Sequence, residues 1–328
     1  MSLRTRSGLI CCLVFLTAFA GAADAQAAEF PTRPIKLVIP YAAGGPTDIF
    51  GRLVAEYLAK NLKQAVFVEN KAGAQGAIGA DMVAHAEPDG YTLLGTSGSV
   101  IILNPLLYRK LSYDPAKELR MLALVTEVPV VLCVHPSVPA NNLAEFVAYA
   151  KANPGKLNFG SSGTGSFTHL AAEMFKQMAG IEMTHIAYKG AAPALQDVMS
   201  GNIQLMFESV SLALPQVRSG MLRPLGISSA QRHSDLPDVP TIAESGYPDY
   251  FVNVWNGIAV PANLPDEVTR ILTDGLDRVM NDPAFRASLE KLGYTALRPR
   301  SAAAIAAFMD AERVRWSGVI KAQNISLD

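Results

Sequence analysis

Twice along this chain a short apolar strand runs into a glycine-rich loop that opens directly into a helix. Ile35-Lys36-Leu37-Val38-Ile39 is closed by Pro40, and the loop Tyr41-Ala42-Ala43-Gly44-Gly45-Pro46 follows. Leu53, Val54, Tyr57, Leu58 and Leu62 then recur at helical spacing from near Thr47, with Thr47 or Asp48 as the cap. Leu157-Asn158-Phe159 leads in the same way through Gly160 to Ser166 into a helix from Phe167 to Ala179. Strand, helix and strand in alternation imply a parallel sheet, because parallel neighbours need a long crossover.

The alternation continues on both sides. Strands are expected at Val66 to Asn70 and Tyr91 to Gly95 around a helix from Ala77 to His85, after the glycine-rich turn Gly73 to Gly79. The second half offers strands at Val130 to Val134, Met183 to Ala187, Ile203 to Phe207 and Leu222 to Ser228. Its helices run from Asn142 to Asn153 and from Ala192 to Ser200, and Asp235 to Tyr250 reads as an ordered loop. A strand from Val254 to Val260 follows. The helices Pro265 to Met280, Pro283 to Leu292 and Ser301 to Lys321 have no sheet of their own and are expected to return to the first half. The reading is an α/β protein of two lobes, 28–131 plus 253–328 and 132–252. The chain crosses between them twice, with a ligand cleft at the carboxyl ends of the strands.

Residues 1–27 read as a signal peptide. Arg4 and Arg6 precede an apolar run from Leu9 to Ala20, and Ala25-Gln26-Ala27 is a small-residue cleavage pattern. The run is shorter than the roughly 20 residues of a membrane span. Cys11 and Cys12 stand at its start, where no lipid-attachment cysteine belongs. A soluble export product is expected, cleaved near Ala27 and destined for the periplasm or the outside of the cell. Of 3 cysteines only Cys133 then remains, in an apolar strand, and it reads as an inert buried thiol. With 17 % charged residues and a net charge of −1, the chain argues against long disordered tails and against a nucleic-acid partner.

Both loops offer backbone N–H groups at the positive end of a helix, which suits a carboxylate or phosphate. Each alone also reads as a plain strand–helix turn. Two of them, one per half, favour an anion clamped from opposite walls. Gly44 and Gly45 are expected to present N–H groups to the ligand, and a Cβ at Gly45 to obstruct it. His169 reads as a ligand donor, as a base for a loop serine, or as a packing or capping histidine, the last being preferred. Glu208 ends an apolar strand and reads as a hinge hydrogen-bonder, as a partner for a cationic ligand group, or as a solvated strand end. Nucleotide and hydrolase motifs fail: no phosphate-binding GxxxxGK[ST], no GxSxG elbow, and no metal spacing among His85, His135, His169, His185 and His233.

Pro40-Tyr41-Ala42-Ala43-Gly44-Gly45-Pro46-Thr47-Asp48, with Arg52 four residues on, resembles the first-loop motif of the Bug-type periplasmic receptors of tripartite tricarboxylate transporters. Glu69 to Ala74, Pro88 to Leu93, Tyr113-Asp114-Pro115, Ala150 to Leu157, Gly160 to Leu170, Tyr188-Lys189-Gly190, Asp238 to Gly246 and Trp255-Asn256-Gly257 match in family order. The resemblance implies a type II periplasmic-binding-protein fold that closes like a flytrap on a small carboxylate, without cofactor, metal or catalysis. It implies a monomer that hands its ligand to the membrane subunits of a transporter. The ligand-binding set it implies is Tyr41, Ala43, Gly44, Gly45, Asp48, Ser97, Ser161, Ser162, Thr164, Ser166, His169, Ala187, Tyr188 and Glu208. Ala187 stands where the family usually has Pro, and Glu208 where it often has Asp, so both alter the pocket. A ligand sensor for a signalling protein is the alternative, and a hydrolase using a loop serine with His169 a distant third.

Overall fold

The computed structural model describes residues 30–327; the leader assigned to 1–27 lies outside the described residues. In the first half β1 (Ile35–Ile39), α1 (Pro46–Leu62), β2 (Val66–Asn70), α2 (Ala77–Ala84) and β3 (Thr92–Ser97) alternate as expected. Two short helices, α3 (Asn104–Leu107) and α4 (Pro115–Glu118), lead to a long strand, β4 (Leu119–Val134). The second half holds α5 (Leu143–Ala152), β5 (Asn158–Ser161), α6 (Phe167–Ala179), β6 (Thr184–Ala187), α7 (Ala191–Met199), β7 (Leu205–Ser209), α8 (Val210–Arg218) and β8 (Arg223–Ile227). After a loop the chain returns through β9 (Asn253–Pro261), α9 (Asp266–Asn281), α10 (Pro283–Lys291), β10 (Thr295–Ala296) and α11 (Ala302–Ala322).

The strands follow the order β2-β1-β3-β9-β4-β7-β5-β6, with β8 and β10 also paired to β4. β1 is parallel to β2 and β3, and β5 is parallel to β6 and β7. Each glycine loop therefore leaves the carboxyl end of a parallel strand. β9 lies antiparallel between β3 and β4.

β4 differs most from the sequence reading, which placed a strand only at Val130 to Val134. It spans 16 residues and serves both halves. From Leu119 to Pro129 it pairs with β9; from Val130 onward it pairs with β7 and β8. Arg120, Thr126, Glu127 and Pro129 break the apolar run that a sequence pattern needs, and tertiary pairing overrides them. α8 was also unread, because Pro215 and its serines disguise it.

Both faces of β4's second part are covered. Val130, Leu132 and Val134 join a core that includes Phe159, Phe207 and Trp316, while Val131 and Cys133 join Met206, Val210 and Ile227 on the other side. Cys133 is fully buried, and burial pushes its thiol pKa well up, so it stays protonated. The C-terminal helices pack against α1: Gly275 faces Leu58 and Leu62, and Tyr57 meets Phe285 edge-on at 5.3 Å. Among the described residues no helix is long and apolar enough to cross a membrane.

Candidate functional site

The first loop is organised by one buried carboxylate. Pro46 starts α1 with the φ a helix needs, and Asp48 lies in its first turn. Asp48 Oδ2 accepts the Gly44 N–H (2.8 Å) and the Arg52 Nε–H (2.9 Å). Its Oδ1 accepts from Asn70 Nδ2 (2.9 Å), which also donates to the Tyr41 carbonyl at 3.1 Å. Burial by itself raises the Asp48 pKa, but Arg52, the Gly44 N–H and Asn70 outweigh it and hold the group below the usual carboxylate range. The Tyr41 hydroxyl lies 2.8 Å from Ser97 Oγ at the end of β3. Thr47 donates to Asn256 Oδ1 (3.2 Å) and ties the helix start to β9.

This changes the roles expected of the two glycines. The Gly44 N–H is taken by Asp48 and does not face a ligand. Gly44 has φ +81, the left-handed region that favours glycine. Gly45 has φ −78, and a Cβ there would meet nothing closer than the Ala42 carbonyl at 3.5 Å. A Cβ at Gly45 therefore strains neither the backbone nor the packing of the chain itself, whereas Gly44 is the position whose backbone demands glycine. Among the described residues no acceptor takes the N–H groups of Ala43 or Gly45.

The second loop is bonded mostly to itself. Ser161, fully buried, accepts the Gly163 N–H (3.1 Å) and lies 2.7 Å from His185 Nε2. Thr168 Oγ1 accepts the Ser162 N–H (3.0 Å) and contacts the hydroxyls of Ser162 (3.1 Å) and Ser166 (3.0 Å). Ser166 caps α6 by accepting the His169 N–H at 3.3 Å. His169 is 4 % exposed, and its Nδ1 accepts the Gly165 N–H (3.0 Å) while Nε2 faces Glu173 at 3.7 Å. Its ring caps and packs the start of α6, and none of its bonds among the described residues is to a serine hydroxyl. His185 stacks on it at 3.8 Å. Burial, with His169 beside it, pushes the His185 pKa down to about 4, so its imidazole is neutral. Ser161 and His185 form a serine–histidine contact, but the serine has no exposed surface from which to attack a substrate.

Among the described residues the N–H and hydroxyl of Thr164 have no hydrogen-bond partner. The Thr164 carbonyl accepts from Gln75 Nε2 at 3.4 Å, so the second loop touches the glycine-rich turn that follows β2 in the first half. Gln75 and its neighbour Ala74 hold left-handed φ of +53 and +46, unusual for non-glycine residues. The sequence reading passed over Gln75, and the run of small residues around it is the signal that marks the turn. Gly98, following Ser97, lies so close to Phe167 and Trp255 that a side chain there would collide with both.

Ala187 is exposed at the end of β6. The Tyr188 hydroxyl donates to Asp197 Oδ2 (2.5 Å), and burial with that carboxylate raises its pKa to about 12. It is spent within its own half. A groove of about 410 Å³ opens beside the first loop, lined by Gly44, Pro46, Ile49, Ser211, Leu212 and Tyr294 from both halves.

Glu208 is not a solvated strand end: it is 3 % exposed. Oε1 accepts the Ser209 N–H (2.7 Å) and hydroxyl (2.9 Å), whereas Oε2 has no partner among the described residues. Burial raises its pKa to about 7 against the opposing Ser209 bonds. The unfolded chain gives up this proton near 4.5, so stability is lost as pH rises from there through about 7. Glu208→Gln mimics the protonated acid. Denaturant unfolding at pH 5 and pH 8 is expected to show the wild type losing about 3 kcal/mol more than the variant between the two. Parallel losses in both proteins would put the group's pKa near its ordinary value.

Two glycine loops on parallel strands, one per half, are an architecture that known proteins share. Residues 50–325 match the family described as the tripartite tricarboxylate transporter family receptor. The chain belongs to this receptor family. Protein BugT of Bordetella pertussis is 33 % identical over 94 % of this chain and 94 % of its own. Among solved structures, R. palustris Rpa4515 with adipate superposes at TM-score 0.83, with 33 % identity over 90 % of this chain and 99 % of its own. MatC from Rhodopseudomonas palustris with bound malate gives TM-score 0.79 and 33 % identity over 89 % and 100 %. The fold is the two-lobed periplasmic-binding-protein fold of these receptors, and the family consists of solute-binding receptors rather than enzymes.

Proposed function

We propose that this receptor captures a small carboxylate in the periplasm and delivers it to the membrane subunits of a tripartite tricarboxylate transporter, acting as a monomer and catalysing nothing. The observation that carries the reading is the set of donors with no acceptor among the described residues: the N–H groups of Ala43 and Gly45 from one loop, the N–H and hydroxyl of Thr164 from the other. Tyr41 and Ser97 add a hydroxyl pair. None of these groups carries charge, so the site neutralises an anion with aligned dipoles at two helix starts, as family members solved with adipate and malate support. Asp48, Ser161, Ser162, Ser166, His169 and Tyr188 hold the walls in shape, and Ala187 and Glu208 border the site.

The lobes divide where β4 changes partners, between Pro129 and Val130, and where β9 begins at Asn253, two residues from the first boundary read in the sequence. The export signal at 1–27 supplies the compartment.

Each charge-assisted hydrogen bond contributes about 1.5–3 kcal/mol. Replacing the carboxylate of a bound acid by its neutral amide is therefore expected to cost about two orders of magnitude in affinity. Calorimetric titration of adipate, malate and their amides tests this, alongside native mass spectrometry of co-purified acids. An amide that binds as tightly as its acid would overturn the anion reading.

A further inference from the structure

The two chain crossings between the lobes meet at a single side chain. β4 pairs with β9 as far as Pro129, opposite Asn253, and Val131 pairs with Ile227 of β8. β8 and β9 thus lie end to end along the same side of β4, and the seam between them falls at Ser228 and Val252. Pro129, the last β4 residue paired with β9, has no N–H. Ser228 occupies the seam and is fully buried. Its N–H donates to the Val130 carbonyl (2.9 Å), and its hydroxyl accepts the Val130 N–H (2.8 Å). The same hydroxyl donates to the Val252 carbonyl, and the Val252 N–H donates to the Ser228 carbonyl at 3.3 Å.

We propose that the Ser228 hydroxyl pins the outgoing crossing at Val130 to the returning crossing at Val252, so that the two bend as one hinge. It touches no ligand and acts as a positioning residue for closure. The hydroxyl accepts from one crossing and donates to the other. Alanine leaves a buried N–H and a buried carbonyl without partners; the two backbone bonds of residue 228 remain as the link between the crossings, which then bend with less coupling. The proposal rests on the two-lobe reading and not on the identity of the ligand, and its readouts use none.

The test uses the mature chain carrying Lys60→Cys on α1 and Lys151→Cys on α5, both exposed sites, spin-labelled while Cys133 stays buried. Pulsed electron resonance then measures the distance between the lobes without ligand. Ser228→Ala is expected to broaden the distance distribution at least twofold and to speed exchange of the Val130 amide at least tenfold, with helix content unchanged. A folded Ser228→Ala protein with the wild-type distribution and exchange overturns the proposal. If alanine does not fold, Ser228→Cys, which keeps a weaker donor and acceptor, is expected to broaden the distribution to a lesser degree; an unbroadened one overturns it. In the wild type the Val130 amide must also exchange as slowly as that of Leu132, and exchange at a loop-like rate overturns it independently.

Discussion

Asp48→Ala is expected to weaken ligand binding by about a hundredfold while the protein remains folded. Three donors, from Gly44, Arg52 and Asn70, lose their acceptor together. Nothing then holds Gly44 in its left-handed turn, and the ligand must order the loop as it binds. Ordering a residue costs about 1–2 kcal/mol, so two or three residues of the Tyr41 to Gly45 segment account for about 3 kcal/mol, or two decades. Asp48→Asn keeps one acceptor oxygen and is expected to lose less. Titration calorimetry with a bound acid measures both; affinity within threefold of wild type for the alanine variant would mean the loop holds its shape unaided.

Glu312→Ala is expected to produce the largest loss of stability. Glu312, on α11, is 3 % exposed. Its Oε2 accepts from the indoles of Trp255 (3.3 Å) and Trp316 (3.1 Å), and Oε1 accepts from Arg315 at 2.9 Å. Both tryptophans are buried, and Trp316 meets Phe167 edge-on at 5.3 Å. Removing the carboxylate orphans two indole N–H groups and opens a cavity between β9 and α11, at a cost of about 3–5 kcal/mol. Glu312→Gln retains an acceptor and should lose about half as much. Urea unfolding checks the order; an alanine variant within about 1 kcal/mol of wild type would show that water replaces the carboxylate.

The glycine loops were legible because their signals are local. A strand, a Gly-Gly or Gly/Ser run and a helix start occupy consecutive residues, and the chemistry of an anion cradle follows from backbone alone. What each side chain does there was not legible. His185 reaches Ser161 across the parallel pairing of β5 and β6, and Asn70 reaches Asp48 from the strand beside β1. Such bonds depend on register, which periodicity does not report. Among the serines of the second loop, Ser162 and Ser166 meet through Thr168 and Ser161 bonds to Gly163 and His185, partners that the loop's composition does not announce. β4 was half-hidden for a related reason: its first part earns its strand geometry from β9, more than a hundred residues away in sequence.

The position of β9 also governs when this chain can fold. The sheet begun at Ile35 stays open along the edge of β3 until residues from Asn253 onward arrive to separate β3 from β4. A nascent chain that has produced only its first 250 residues holds an unpaired, apolar strand edge. Pairings this distant in sequence carry a high loop-closure cost and form late. The first half of the sheet is therefore completed only once the last quarter of the chain is made, and a truncated product lacking β9 presents an edge that invites aggregation.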